Sequence, residues 1–207
     1  ASRPRPEQHL LWMRYLTANE TSDILNPDIS QTLKSNALSG LIDQVGGLDD
    51  LQPVDMAMQL DMMTFLDGNG LYQADRMMMA ASLEGRVPLL NNLMIDLSMQ
   101  IPAGVKMQNG SLKAILRSLL RNRLPDSIVD LPKKGFGPPS AAWLRTTFRD
   151  QLEDQLSSER LARDGFFNVQ RVRNMVDEHM QRRRDHGRAL WMLMSFQMWY
   201  KNRIQVN

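Results

Sequence analysis

The chain has 207 residues, 43% hydrophobic and 23% charged, a size and composition that fill one core and place it among globular domains. Lys+Arg of 25 against Asp+Glu of 23 leaves a formal net charge of +2, which is no polycation, so nucleic-acid binding is not expected. Cys 0 removes disulfide frameworks, thiolate nucleophiles and cysteine zinc sites together, and His9, His179 and His186 stand at no ligand spacing, so no metal site is expected.

The longest apolar run, Ala189 to Tyr200, is broken by Ser195 and Gln197 and falls short of the roughly 18 to 20 residues that cross a bilayer. A soluble, cytoplasmic protein without membrane contact is the expectation. No apolar signal stretch opens the chain, and Ala1 stands in a Pro-Arg segment where a full-length product would show Met, which points to a piece of something longer.

The periodicity reads as helix nearly throughout. A short first helix begins after Pro4 and Pro6, carries Leu11 and Tyr15, and breaks at Asn26-Pro27, because a residue before proline avoids the helical region. Leu33, Ala37, Leu41 and Val45 repeat every four residues until Gly46-Gly47. Pro53 opens a helix with Met56, Leu60 and Met63 that Gly68-Asn69-Gly70 should close. Good helix formers run from Tyr72 to Leu83, and Leu93, Leu97 and Ile101 mark a further helix before Pro102. After Gly110, the stripe Leu112, Ile115, Leu116, Leu119 and Leu120 is amphipathic and ends near Pro125. A Lys-, Gly- and Pro-rich loop from Leu131 to Ser140 separates it from a helix with Leu144, Phe148, Leu152 and Leu156. Asn168 can cap a helix that presents Val172, Met175, Val176 and His179, and Ala189 to Ile204 reads as a buried final helix. No segment alternates at period two. The expected class is therefore all-α, a single multi-helix domain over residues 1–207 with no sheet of more than two short strands.

Four polar placements run against this pattern. Lys113 falls in the first turn of its helix, where the dipole disfavours cations, so with a Ser111 cap and with Arg117 and Arg121 on the same face it could seat a phosphate. The plainer reading is a solvated helix face. Lys133 lies in the loop Pro132-Lys133-Lys134-Gly135-Phe136-Gly137-Pro138-Pro139, where glycines allow close approach and prolines stiffen the exit, and such a lysine can meet charge that appears only in a transition state. The plainer reading is a surface turn. Asp75-Arg76 and Glu84-Gly85-Arg86 flank a helix end that turns Val87-Pro88-Leu89-Leu90 inward, where an Asp75–Arg86 or Glu84–Arg76 pair would be structural. The Met77-Met78-Met79 run reads as core filler, and Arg182-Arg183-Arg184-Asp185-His186-Gly187-Arg188 as a solvated connection.

The succession Asp75-Arg76-Met77-Met78-Met79-Ala80, Ser82-Leu83-Glu84-Gly85-Arg86-Val87-Pro88-Leu89-Leu90, Lys113 with Ile115-Leu116-Arg117, Leu124-Pro125, Lys133-Lys134-Gly135-Phe136 and Trp143-Leu144 resembles the C-terminal part of the asparagine synthetase family. Arg188-Ala189-Leu190-Trp191 through Trp199 resembles that family's last helix, so the resemblance covers at least Leu66 to Ile204.

The resemblance implies a glutamine-hydrolysing, ATP- and magnesium-dependent ligase in which a carboxylate is adenylated and glutamine-derived ammonia attacks the acyl-adenylate. It makes Lys133 the catalytic residue facing the phosphates and the developing charge at the acyl centre, and Lys113 the lysine directed at pyrophosphate. Asp75, Glu84 and Arg86 match signature positions that either support the site or hold the helix corner. Asn91 stands where the family has Asp, and Leu89 where it has Phe. The family's Ser-Gly-Gly-x-Asp-Ser pyrophosphate loop has no match in these residues, nor does the N-terminal cysteine of a glutaminase. The chain then corresponds to the helical C-terminal half of a synthetase domain of adenine-nucleotide α-hydrolase type, without its parallel sheet and inactive alone. Its partners would be the nucleotide-binding and glutaminase portions of the same protein, with aspartate or a similar carboxylate as substrate. An uncovered apolar face near Lys113 and Lys133 is expected, which a homodimer is one way to cover. The alternatives are a non-catalytic helical interaction module, or a relative that closes β-lactams or peptide rings.

Overall fold

The computed structural model describes residues 5–32, 40–43, 47–48, 50–132, 134–135 and 137–204. These residues form helices, turns and an antiparallel bridge between Leu25 and Phe167, with no strand among them, as an all-α class requires. They fall into two compact units, one of Ala1–Met13 with Asn36–Lys134 and one of Arg14–Ser35 with Gly135–Asn207. The repeat Leu33, Ala37, Leu41, Val45 lies outside the described residues except for Leu41, which is exposed.

In the first unit, Arg5–Trp12 packs on Pro53–Asp61 through a small cluster of Leu10, Leu48, Met56 and Leu60. Pro53 takes the first helical position, where its missing N–H costs nothing. His9 Nε2 and Asp61 Oδ1 meet at 2.8 Å, and Lys106 donates to Asp55 at 3.0 Å. The expected stop at Gly68-Asn69-Gly70 does not occur. Met62–Leu71 runs as a π-helix, with the Tyr72 N–H donating to the Asp67 carbonyl, and continues directly into Tyr72–Ala80. Glycine lowers helix stability by only about 1 kcal/mol relative to alanine, so two of them do not stop a helix anchored on its N-terminal side by Met56 and Leu60. The stop falls at Ser82 instead, whose φ of 57° no right-handed helix can hold.

From Met62 to Pro132 Val129 alone is buried. The Met77-Met78-Met79 run is therefore not core filler, since Met77 is 71% exposed, and Val87 and Leu89 turn outward rather than inward. The amphipathic helix after Gly110 is present as Ala114–Arg121, yet Leu119 on its apolar stripe is 58% exposed.

The second unit is built differently. Leu144, Leu152, Leu156, Leu161, Val172, Met175, Val176 and Leu190 are all shut away from water in one core. Thr17 starts the helix Ala18–Ile24 with a capping box to Glu20, which splits the expected first helix from Arg5–Trp12. Pro27 opens the next helix after the predicted break. Asn168 caps Val169–Met180 by accepting from the Arg171 N–H at 3.0 Å, as expected, and Val172, Met175, Val176 and His179 all face the core. The single helix expected to carry Leu144 through Leu156 is two, Ser140–Arg145 and Arg149–Gln155. At the break the Thr146 hydroxyl donates to the Ala142 carbonyl, a local bond that competes with helix continuation, and Phe148 turns to set its ring centroid 5.5 Å from that of Trp191. Gly187–Arg203 is the closing helix.

Candidate functional site

Each polar position singled out in the sequence has a definite setting. At the corner after Tyr72–Ala80, Leu83 returns its N–H to the Met78 carbonyl at 2.9 Å, and Gly85 lies so close to the Met78 side chain that a Cβ there would displace it. Glu84 and Arg86 pair with each other, both well exposed, while Arg76 lies 5.0 Å over the Tyr72 ring. The pairs Asp75–Arg86 and Glu84–Arg76 do not form, because the two-residue spacing lets Glu84 reach Arg86 first. Asn91 caps Asn92–Gln100 by accepting from the Met94 N–H at 3.0 Å and donates to the Pro88 carbonyl at 2.9 Å. An aspartate could accept the first bond but could not donate the second unless protonated.

Lys113 is not in the first turn. It is the residue before the helix Ala114–Arg121, in left-handed conformation with φ 59°, and the Ser111 side chain makes no cap. A non-glycine residue held there stores about 1–2 kcal/mol. The Lys113 carbonyl still accepts from the Arg117 N–H at 3.0 Å, so the residue starts the helix while its exposed ammonium has no acceptor among the described residues. Arg117 and Arg121 do not extend this site. Arg117 donates to the Val129 carbonyl and, at 3.3 Å, to that of Leu131, whereas Arg121 reaches Asp126 at 2.9 Å and Asp130 at 2.6 Å. Both arginines tie the helix to the segment that follows it, because the turn at Pro125 brings carbonyls and carboxylates back beneath them. No hydrogen bond or ion pair joins Lys113 to Asp75, Glu84 or Arg86 among the described residues.

Lys133 lies outside the described residues. Lys134 is exposed, and the two compact units divide between it and Gly135. The downstream end of this loop is held firmly. His179, fully buried, donates from Nε2 to the Ala141 carbonyl at 3.1 Å and accepts at Nδ1 from the His186 N–H at 3.2 Å. Burial, with Arg145 against the ring, holds its pKa below the usual histidine value, so it stays neutral. His186 pairs with Glu178 at 2.6 Å, which holds that carboxyl below its usual range. Gly187 packs against Ala141 closely enough that a Cβ would come within 2.7 Å of the Ala141 Cα.

The connection 182–188, read from sequence as solvated, is exposed at five residues and buried at His186 and Gly187. It borders a cavity of about 450 Å³ in the second unit. Arg171, Arg184 and Arg188 line it with Glu20, Asp185 and Ser140. Sequence reasoning missed this cavity; the signal available was Gly187 placed between two histidine-bearing segments and the last helix. Among the described residues no three His, Asp or Glu side chains gather as metal ligands would, and no helix is long and apolar enough to cross a membrane.

The chain matches the family model for asparagine synthase over residues 5–201. It is 28% identical over 146 residues to asparagine synthetase [glutamine-hydrolyzing] 1 of Bacillus subtilis, covering 70% of this chain and 23% of that protein. It is 34% identical over 149 residues to a putative asparagine synthetase [glutamine-hydrolyzing] of Mycobacterium bovis, covering 72% of this chain and 22% of the relative. No solved structure matches it. The chain spans less than a quarter of the length of these curated relatives. With nearly its whole length matched, the chain belongs to the asparagine synthase family.

Proposed function

We propose that these residues are the helical C-terminal part of an ATP-dependent amide-forming ligase, which adenylates aspartate or a similar carboxylate and passes it to glutamine-derived ammonia. Nucleotide-binding and glutaminase portions of the same protein complete the reaction, and the helical part alone is inactive. One observation carries the reading: within a chain of this family, Lys113 is held in a left-handed cap with its ammonium free, while its neighbours Arg117 and Arg121 are consumed by the fold. A lysine positioned at such a cost, with no protein acceptor, is suited to an anion supplied from elsewhere.

That donor chemistry fits the phosphate end of a nucleotide. ATP with magnesium supplies the adenylyl group that activates the carboxylate. Lys113 holds the pyrophosphate end in place and neutralises it. Lys133 sets its ammonium against the charge that builds at the acyl centre and the α-phosphate, which strengthens its interaction in the transition state relative to the ground state. Asp75, Glu84 and Arg86 either support this site or hold the helix corner that precedes the Asn91-capped helix. In the whole protein, carboxylate-dependent ATP–pyrophosphate exchange is the assay. Lys113→Ala should raise the KM for pyrophosphate about tenfold or more with a smaller change in kcat. An unchanged KM removes Lys113 from the site, and no exchange with any carboxylate removes the adenylation reading.

A further inference from the structure

The geometry points to a second anion site, for a phosphate group, in the cavity bordered by Arg171, Arg184 and Arg188. This cavity lies wholly within the second unit and includes neither Lys113 nor Lys133. Its guanidinium groups are underused. The guanidinium of Arg171 donates to no acceptor among the described residues, its backbone N–H alone being bonded, to Asn168, and Arg188 makes only a cation–π contact, 5.1 Å from the Tyr15 ring centre. Arg184 approaches Glu20 no closer than 3.8 Å.

The two carboxylates at the cavity are already committed. Glu20 accepts from the Thr17 N–H and hydroxyl at one oxygen, each at 2.9 Å, and these bonds, with Arg184 and Arg171 adding to them, hold its pKa below the usual value. Asp185 accepts from the Gly187 N–H at 2.8 Å. The lining carries three guanidinium groups with the carboxylates of Glu20 and Asp185, and Glu178, paired with His186, also lies within electrostatic reach of Arg171 and Arg184. Ser140 contributes a hydroxyl without a protein partner among the described residues. Arg188 and Ala189 sit in the first turn of Gly187–Arg203, where backbone N–H groups have no helical carbonyl to meet.

These donors come from separate elements: the helix Val169–Met180, the turn after it, the start of the last helix, and the end of the loop at Ser140. A carboxylate offers its lone pairs in one plane, whereas a phosphate accepts from all sides and takes bidentate guanidinium forks as well. The arrangement accordingly selects a tetrahedral oxyanion. A neighbouring cavity of about 420 Å³ shares Tyr15, Pro138, Ser140 and Arg188 with the first and adds Trp143 and Trp191, so an aromatic group carried on the phosphate has a place to lie. The site does not rest on the ligase reading, and either can fail without the other.

The test is calorimetric titration of the 207-residue chain at physiological ionic strength with pyrophosphate, phenyl phosphate and succinate in turn. We expect saturable one-to-one binding of a phosphate compound, weakened about tenfold or more by Arg171→Gln and by Arg188→Gln. Arg163→Gln, which alters a cation paired with Asp164 away from the cavity, should leave it unchanged. Neither cavity substitution removes a protein hydrogen bond, so both variants should keep the parent's melting temperature. Tighter binding of phenyl phosphate than pyrophosphate assigns a phosphate ester, and the reverse assigns the free anion; both uphold the site. Absence of saturable binding, equal loss in Arg163→Gln, or tighter binding of succinate than of either phosphate compound overturns it.

Discussion

The two compact units use similar helix-forming sequence to opposite ends. In the second unit, Leu144, Leu152, Leu161 and Leu190 disappear into one core, and the polar groups left inside, such as His179, find partners. In the first, the stretch from Met62 to Pro132 carries equally apolar helices, yet Leu93 is 81% exposed and the Leu112-to-Leu120 stripe faces water. A monomer rarely leaves a contiguous apolar patch larger than roughly 300–600 Å² uncovered. The second unit is thus stabilised by its own packing, whereas the motif-bearing helices of the first leave much of their apolar surface in water.

Core truncation separates the two most widely. Leu190→Ala, at a fully buried position, should lower the unfolding free energy by about 2–5 kcal/mol in urea titrations, while Leu93→Ala should change it by less than about 0.5 kcal/mol. Comparable losses would mean that the first unit has a core of its own around Leu93. Gly187→Ala forces a methyl against the Ala141 backbone and should cost about 1–3 kcal/mol, read as a lower melting temperature. Asn168→Ala removes the cap of Val169–Met180 and should cost about 1 kcal/mol.

A still smaller effect in the neutral range comes from His179. Its pKa is lowered in the folded protein, so the unfolded chain binds the extra proton as pH falls through the ordinary histidine value. Stability is then full above that value and declines below it. A melting temperature that drops between about pH 7 and pH 5, less steeply in His179→Gln, is the expected result; no difference between the two would show that the ring accepts a proton without penalty.

How much of this was legible in the sequence follows the same division. The all-α class, the Asn168 cap and the buried face Val172 to His179 were readable because burial enforces the period that the residues spell. The π-helical passage through Gly68 and Gly70 was not, since glycine's modest penalty marks a break only where no neighbouring turn holds the helix. The left-handed Lys113 was also out of reach: a lysine there is set by the turn from Asn109 through Gly110, not by propensity. Arg117 and Arg121 looked like an extension of the Lys113 site because helix spacing alone does not reveal that the chain returns at Pro125 to meet them. The cavity at Arg171, Arg184 and Arg188 joins residues from distant helices, which local pattern cannot assemble.

The claim that the first unit supplies the lysine side of an adenylating site is tested most directly at Lys133. In the whole protein, Lys133→Ala should lower kcat for carboxylate-dependent ATP–pyrophosphate exchange by more than about 100-fold with little change in the KM for ATP, about 2.7 kcal/mol of lost transition-state stabilisation. Lys134→Ala, at an exposed neighbour, should retain nearly full activity. Equal losses for the two substitutions would show that the loop contributes only diffuse positive charge and would contradict the role assigned to Lys133.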